Sequence, residues 1–291
     1  MTGSLVPPPP IAPDRFLPGC RLLPGLPSAG AGRPRSGGEP GWDFPWTPRG
    51  AITISSPGPG TRRGTVVETV RVFAAWPAAE ALVLAHRGLW RERAHRNTPA
   101  ALEAALVAGF GVETDVRDCR GELVISHDMP TGHEQRFDEF LDRYVATGST
   151  APLAINVKAD GLASPIRAAL DSRGIDTFFC FDMSVPDARS YAALGMRFFA
   201  RLSELEPRSP LADRAAGIWL DAFEGTWFDA ALIREWLDRG RDVCVVSPEL
   251  HGRPHEPLWA LVRGCLATVR GPVGRLMLCT DLPEQFVGVN A

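Results

Sequence analysis

After residue 78 the chain alternates between two textures. Short apolar runs recur at Ala81–Ala85, Gly111–Val116, Leu153–Val157, Phe178–Phe181, Arg197–Ala200, Gly217–Leu220, Asp242–Val246 and Leu276–Cys279. Runs of that length predict buried strands, the second of them carrying Glu113-Thr114-Asp115 between its apolar residues. Between them, apolar residues recur every three or four positions, as on helices with one buried face. The clearest helix is Pro99–Ala108, with Thr98 as N-cap, proline in the first helical position and Gly109 as the stop. Others are predicted over Ser164–Ser172, Pro186–Leu194, Ala230–Arg239 and Pro257–Val269. Leu123–Ser126, following the turn Arg120-Gly121, predicts a hairpin arm on the second strand. Eight strands alternating with helices predict an α/β fold of the parallel (β/α)8 TIM-barrel type. A doubly wound open sheet is the alternative, and the G-x-G-x-x-G turn that would favour it is missing.

Residues 1–78 have another texture. Pro7–Pro10, GAGRPRSGGEPG and SSPGPGTRRG crowd them with proline, glycine, serine and arginine. Such a segment cannot bury enough apolar surface to offset its ordering entropy. It is expected to be a disordered extension, with the barrel spanning 79–291. A chain beginning near Pro77 should therefore keep its melting temperature and its activity. Loss of soluble protein on that truncation would make the segment part of the fold.

Composition narrows the class of partner. Of 291 residues 45% are hydrophobic, enough for a sizeable core, and the net charge of -3 gives no reason to expect nucleic acid or an anionic membrane surface. The six cysteines form no C-x-x-C pair, which fits a reduced, cytoplasmic setting. The N-terminus offers four prolines where a secretory signal would carry a basic head and an apolar centre. The most apolar longer stretch, Val70–Ala85, is broken by Pro77 and Glu80, so no transmembrane span is expected.

The chemistry gathers where the strands end. In order, the ends carry His86 and Arg87, Glu113 and Asp115, Asn156 and Lys158, Asp182, Glu204, Asp221, Ser247 with Glu249, and Asp281. Active groups of a (β/α)8 barrel lie at such strand ends. An Asp there can instead cap the next helix, and that reading stays open for Asp182 and Asp281. Glu113 and Asp115, two apart, face one side of their strand, and buried carboxylates need a counter-charge or a metal. Asn156 and Lys158 repeat the spacing on the following barrel strand. Glu113, Asp115 and Asn156 could hold one divalent cation, Mg2+ or Ca2+, through oxygen ligands, beside a lysine that meets an anion. A plain Lys158–Asp115 salt bridge is the alternative. His127, in LVISHDMP, completes a workable acid/base pair with His86. His95, His133, His251 and His255 stand in polar loop contexts and receive no role. Trp90, Trp219 and Trp227, near strand ends, either stack on a glycerol or sugar face or belong to the core.

These motifs resemble a known group. HRG at the first strand end, NTPAAL opening the first helix, ETD on the second strand and HD after the arm are similar to glycerophosphodiester phosphodiesterases, within the PLC-like phosphodiesterase superfamily. The resemblance runs from about Leu82 to Asp281, and its most specific part lies between His86 and Asp128. It implies catalytic roles for His86 and His127 and metal ligation by Glu113 and Asp115. Two departures mark a divergent bacterial branch. Arg96 stands where the family has Glu before Asn-Thr, and Asn156 where it has the acidic residue of Glu-x-Lys. Asn156 keeps an oxygen donor but removes a negative charge, which Glu249 or Asp221 could restore.

The activity expected from this resemblance is metal-dependent hydrolysis of a glycerophosphodiester or related small-molecule phosphodiester, with Arg87 and Lys158 meeting the phosphate. A non-catalytic phosphate-binding barrel and a lyase that stops at a cyclic phosphate are the alternatives.

Overall fold

The structure, a computed structural model, describes residues 82–268 and 274–288. The Pro- and Gly-rich stretch 1–78 lies outside them. Nine strands are β1 (Leu82–His86), β2 (Gly111–Cys119), β3 (Glu122–Ile125), β4 (Leu153–Val157), β5 (Phe178–Phe181), β6 (Phe199–Leu202), β7 (Gly217–Leu220), β8 (Asp242–Val246) and β9 (Leu276–Thr280). The helices are α1 (Pro99–Val107), α2 (Phe137–Ala146), α3 (Ala163–Asp171), α4 (Val185–Ala193), α5 (Ala230–Asp238), α6 (Glu256–Thr268) and α7 (Pro283–Val287).

Eight strands run parallel in the order β5-β4-β2-β1-β9-β8-β7-β6, with β3 antiparallel against β2 as the hairpin arm. The ring is nearly closed, because Cys180 of β5 bridges Phe198 just ahead of β6. This is the (β/α)8 architecture that the alternation predicts. Among the described residues no helix is long and apolar enough to cross a membrane.

One strand sits two residues later than its apolar run. Arg197 and Phe198 are used against β5, where the Cys180 N–H donates to the Arg197 carbonyl at 3.0 Å. The ladder with β7 begins only at Phe199 opposite Gly217 and runs to Leu202. The apolar run marks the closing seam, and the strand proper carries Arg201 to the mouth.

Two cores follow from the period of two. One lies between sheet and helices, where α2 buries Phe137, Phe140, Leu141 and Tyr144 and α5 buries Ile233, Trp236 and Leu237. The other fills the barrel, from Leu84, Ala154, Phe179, Phe181, Phe199, Trp219, Cys244, Val246, Met277 and Cys279. Phe179 stacks on Phe199 and Phe181 on Trp219, each with centroids 3.8 Å apart. Trp219 is therefore core, and its buried ring is not available for stacking on a ligand. Gly111 makes room at this level, since a Cβ there would lie 2.3 Å from Leu84 Cδ2.

The same alternation carries each inward file upward from this aromatic floor. Leu84 leads to His86, Ala154 to Asn156 and Lys158, Phe199 to Arg201, Trp219 to Asp221, and Cys279 to Asp281. Gly111 leads to Glu113 and Asp115, in register with Leu84 and His86. A polar layer on an apolar plug is thus built by strand geometry alone.

Candidate active site

His86 ends β1, and two further residues complete the motif. Arg87 takes a left-handed conformation, with φ 57°. Gly88 follows with φ 91°, packed so closely on α1 that a Cβ would lie 2.6 Å from the Ala101 carbonyl carbon. Only glycine fits both constraints. The turn aims Arg87 back at the site, its Nε 2.9 Å from Asp115 Oδ2, at ion-pair distance but not aligned as a hydrogen bond.

Asp115 is enclosed by donors. Lys158 Nζ lies 3.3 Å from Oδ1, and Asn97 Nδ2 donates to Oδ2 at 2.9 Å. Asn97 is itself fixed, with its backbone N–H on the Arg87 carbonyl and its Oδ1 accepting from Thr114. Its part in the site was not read from the sequence, although it opens the NTPAAL motif.

Glu113 differs. Among the described residues it has no Lys or Arg in ion-pair contact, and its nearest basic group is His86, with Nε2 at 3.8 Å. Burial, and next the Asp115 charge beside it, push its carboxyl up to about 7, against the pull of His86, Arg87 and Lys158. Asn156 Nδ2 donates to its Oε1 at 3.3 Å.

On Glu113, Asp115 and Asn156, three buried oxygens have no aligned hydrogen-bond donor: Glu113 Oε2, Asp115 Oδ1, which has only the Lys158 ion pair, and Asn156 Oδ1. They belong to the three residues singled out as cation ligands, and hard oxygen donors suit Mg2+ or Ca2+. The donor set fits a divalent ion. Among the described residues no three His, Cys, Asp or Glu side chains assemble a metal cage, so the candidate set is two carboxylates and an amide.

Asp281, at the end of β9, is not a helix cap. Its Oδ1 lies 2.6 Å from His86 Nδ1 and its Oδ2 accepts from Arg96 at 2.5 Å. Arg96 also lies over the Trp90 ring at 4.4 Å, and the Trp90 indole N–H donates to the His86 carbonyl. The departure at Arg96 therefore has a local purpose, because it anchors the carboxylate that holds His86. Burial alone would raise the Asp281 pKa, but the hydrogen bond and charge of His86, with the charge of Arg96, outweigh it and hold the carboxyl below its ordinary value.

A depressed folded value gives stability that is full above the unfolded pKa of about 4 and is lost as pH falls through the lower folded one. Asp281→Asn should remove that part of the acid dependence. Melting temperatures from about pH 6 to pH 2 should fall less steeply in the variant. Parallel curves would contradict it.

His127 is placed differently. It follows Ser126, whose N–H donates to the Asp115 carbonyl at 3.0 Å, so the arm returns it to the Asp115 end of β2. Its side chain is half-exposed, with Nδ1 2.8 Å from Asp128 Oδ1. The Asp128 carboxyl also feels the charge of Arg87. The structure thus brings His86, Arg87, Glu113, Asp115, Asn156 and Lys158 together and leaves His127 on the rim.

Neither proposed substitute for the missing charge serves Asn156. Glu249 accepts from Ser247, Thr280 and the Asp281 N–H, and Asp221 is paired with His251 at 2.7 Å.

Among solved structures, this arrangement of strands and helices has clear counterparts. A protein assigned as a glycerophosphodiester phosphodiesterase from Galdieria sulphuraria matches with TM-score 0.57 at 15% identity, over 72% of this chain and 97% of its own. The glycerophosphodiester phosphodiesterase from Agrobacterium tumefaciens matches with TM-score 0.51 at 21% identity, over 72% and 100%. The fold is that of the solved glycerophosphodiester phosphodiesterases. An Oleispira antarctica phosphodiesterase in complex with the product sn-glycerol-3-phosphate gives TM-score 0.50 at 17% identity, over 72% and 96%. No family model matches the sequence, and no curated protein does. The (β/α)8 barrel is thus reached from the sequence pattern and from the coordinates independently.

Proposed function

We propose that this chain is a divergent phosphodiesterase of the glycerophosphodiester type, hydrolysing a small-molecule phosphodiester with His86 and His127 as its acid/base pair. The observation that carries the reading is the Arg96–Asp281–His86 chain beside Lys158 and Arg87. Asp281, held as a carboxylate, can only accept, so the proton of neutral His86 sits on Nδ1. Nε2 is then the basic nitrogen, on the side of Glu113. It takes the proton of a neighbouring substrate hydroxyl as that oxygen attacks phosphorus, and Asp281 stabilises the imidazolium that forms. Water deprotonated by His127 then opens the resulting cyclic phosphate as His86 returns its proton to the ring oxygen.

Lys158 and Arg87 offer positive charge to the non-bridging phosphate oxygens. Glu113, Asp115 and Asn156 would hold the divalent cation, Mg2+ or Ca2+, which when bound supplies Lewis-acid stabilisation of charge on the phosphate. His127, with access to solvent, gives a proton to the departing oxygen. A purely binding barrel has no use for a histidine held in one tautomer by a buried carboxylate, which weighs against the non-catalytic alternative. The product bound by the Oleispira antarctica phosphodiesterase makes glycerophosphodiesters the first substrates to try.

The test is a panel of diesters offered with Mg2+, with Ca2+ and with chelator, following release of the alcohol. Saturable turnover that needs a divalent ion is expected. Turnover unaffected by chelator would remove the metal from the proposal, and none on any diester would remove the activity.

A further inference from the structure

Asp281 holds His86, but the sheet does not hold Asp281. The ladder between β9 and β1 ends with Thr280 opposite Ala85, and the ladder between β9 and β8 ends with Cys279 opposite Val246. Asp281 therefore lies past the end of both. Its two carboxylate oxygens are committed to His86 and Arg96, and a backbone N–H at a strand end still needs an acceptor. Glu249, on the short turn Pro248–His251 after β8, supplies one. The Asp281 N–H donates to Glu249 Oε1 at 3.0 Å.

The carboxylate that meets this N–H is itself fixed from both sides. Thr280 Oγ1 donates to Glu249 Oε1 at 2.5 Å and accepts the Leu282 N–H at 3.0 Å, so the corner Thr280-Asp281-Leu282 is tied before and after Asp281. Ser247 Oγ donates to Glu249 Oε2 and accepts the Trp259 indole N–H at 2.8 Å. Trp259 belongs to α6 and meets the Phe286 ring of α7 edge-on, with centroids 5.3 Å apart. Ser247 and Thr280 are fully buried. A hydroxyl has one proton, and each of these two directs its own to Glu249 while its oxygen takes an N–H. Every hydrogen bond of the chain thus runs toward the carboxylate.

Glu113, Asp115 and Asn156 keep buried oxygens that lack an aligned donor, as a site for an ion does. Both oxygens of Glu249 are met by donors of its own chain. That is the arrangement of a group that fixes other residues rather than of one that awaits a ligand. What it fixes is the acceptor for the His86 Nδ1 proton. At 2.6 Å the Asp281–His86 contact has little slack, and misplacement by about 1 Å, even from far outside the reacting atoms, lowers rates on the order of 10²-fold.

We propose that Glu249 is a positioning residue for His86, acting through the main chain of Asp281, with Thr280 and Ser247 orienting its two oxygens. This rests on the phosphodiesterase reading for the reaction in which His86 acts. It makes the packing of α6, through Trp259 and Ser247, part of what orders the site.

The tautomer of His86 reports on this brace without turnover. Long-range proton–nitrogen correlation NMR of the full chain with isotope-labelled histidine, at a pH where the ring is neutral and assigned with His86→Ala, should place the His86 proton on Nδ1. Glu249→Met keeps the length of the side chain and removes both acceptors, so it should leave His86 as a mixture of the two tautomers. On a diester its kcat should fall about 10- to 100-fold, with KM near the wild-type value. Glu249→Gln can still turn a carbonyl to Thr280 and Asp281, so it should restore most of the tautomer and most of kcat. Thr280→Val removes the hydroxyl at nearly constant shape. It should move both readouts in the same direction as Glu249→Met, and it carries the test if that variant does not fold. A merely structural role would lower the melting temperature and leave tautomer and kcat in place, and that result would overturn the proposal. So would a His86 proton on Nε2 in the wild type, or a loss carried by KM alone. A chain whose tautomer follows Glu249 while it hydrolyses no diester would lose the phosphodiesterase reading and keep the positioning role.

Discussion

His86→Ala is expected to lower diester turnover by a factor on the order of 10² to 10⁴, and His127→Ala by a similar factor. The two variants should differ in stability. His127 is half-exposed and its Nδ1 meets the exposed Asp128 carboxylate, so its loss should leave the melting temperature unchanged. His86 is buried between Asp281 and Glu113, so its loss should cost some stability as well as rate. Asp281→Asn separates orientation from chemistry. An amide in place of the carboxylate no longer forces the proton onto Nδ1, so kcat should fall while KM stays near the wild-type value. The acid limb of the pH–rate profile should move too, because the imidazolium loses its counter-charge. A merely structural role for Asp281 would leave that limb in place. Wild-type turnover in either histidine variant would remove that residue from the mechanism.

Chelation should abolish activity, and Asn156 decides how readily metal restores it. Asn156 Nδ2 donates to Glu113 Oε1, so the amide quiets a carboxylate that, among the described residues, has no lysine or arginine in ion-pair contact. Asn156→Asp replaces that donor with a third negative charge beside Glu113 and Asp115. Without a divalent ion the carboxylates repel, and the variant should melt at a lower temperature than the wild type in chelator. With Mg2+ or Ca2+ the added charge becomes a ligand, so the melting temperature should recover and half-maximal activity should need less metal. Turnover can fall at the same time, because a more neutralised cation polarises phosphate less. A melting temperature indifferent to metal in both proteins, with the same metal requirement, would mean Asn156 is no ligand.

Most strands were legible because they carry four or five apolar residues and end in a polar one, and period two then fixes which polar groups face inward. That reasoning placed Glu113, Asp115, Asn156 and Lys158 in one layer, where the structure has them. It also misaligned β6, since Arg197 and Phe198 belong to the closing seam and an apolar run does not say which neighbour it pairs with. Helix α2 went unread although Phe137, Phe140, Leu141 and Tyr144 follow helical spacing, because the polar loop 127–136 masks its start.

Pairs distant in sequence were not legible. His86 and Asp281 are 195 residues apart, and Arg96 and Asp281 are 185 apart. Only the pairing of β9 with β1, the last barrel strand with the first, brings them into contact. In the sequence Asp281 read equally as a helix cap or as an active group at a strand end, and His251 looked like a loop histidine until β7 and β8 were set side by side.

Phosphorus NMR of one diester, incubated with the metal-loaded chain and with its His86→Ala variant, tests the central claim most directly. The account predicts that the diester signal is replaced by a phosphomonoester signal, with any cyclic phosphate appearing as an intermediate, and that the variant leaves the diester signal standing over the same interval. A lasting cyclic phosphate would make the chain a lyase. An unchanged diester in both samples, or equal conversion in both, would contradict hydrolysis by His86.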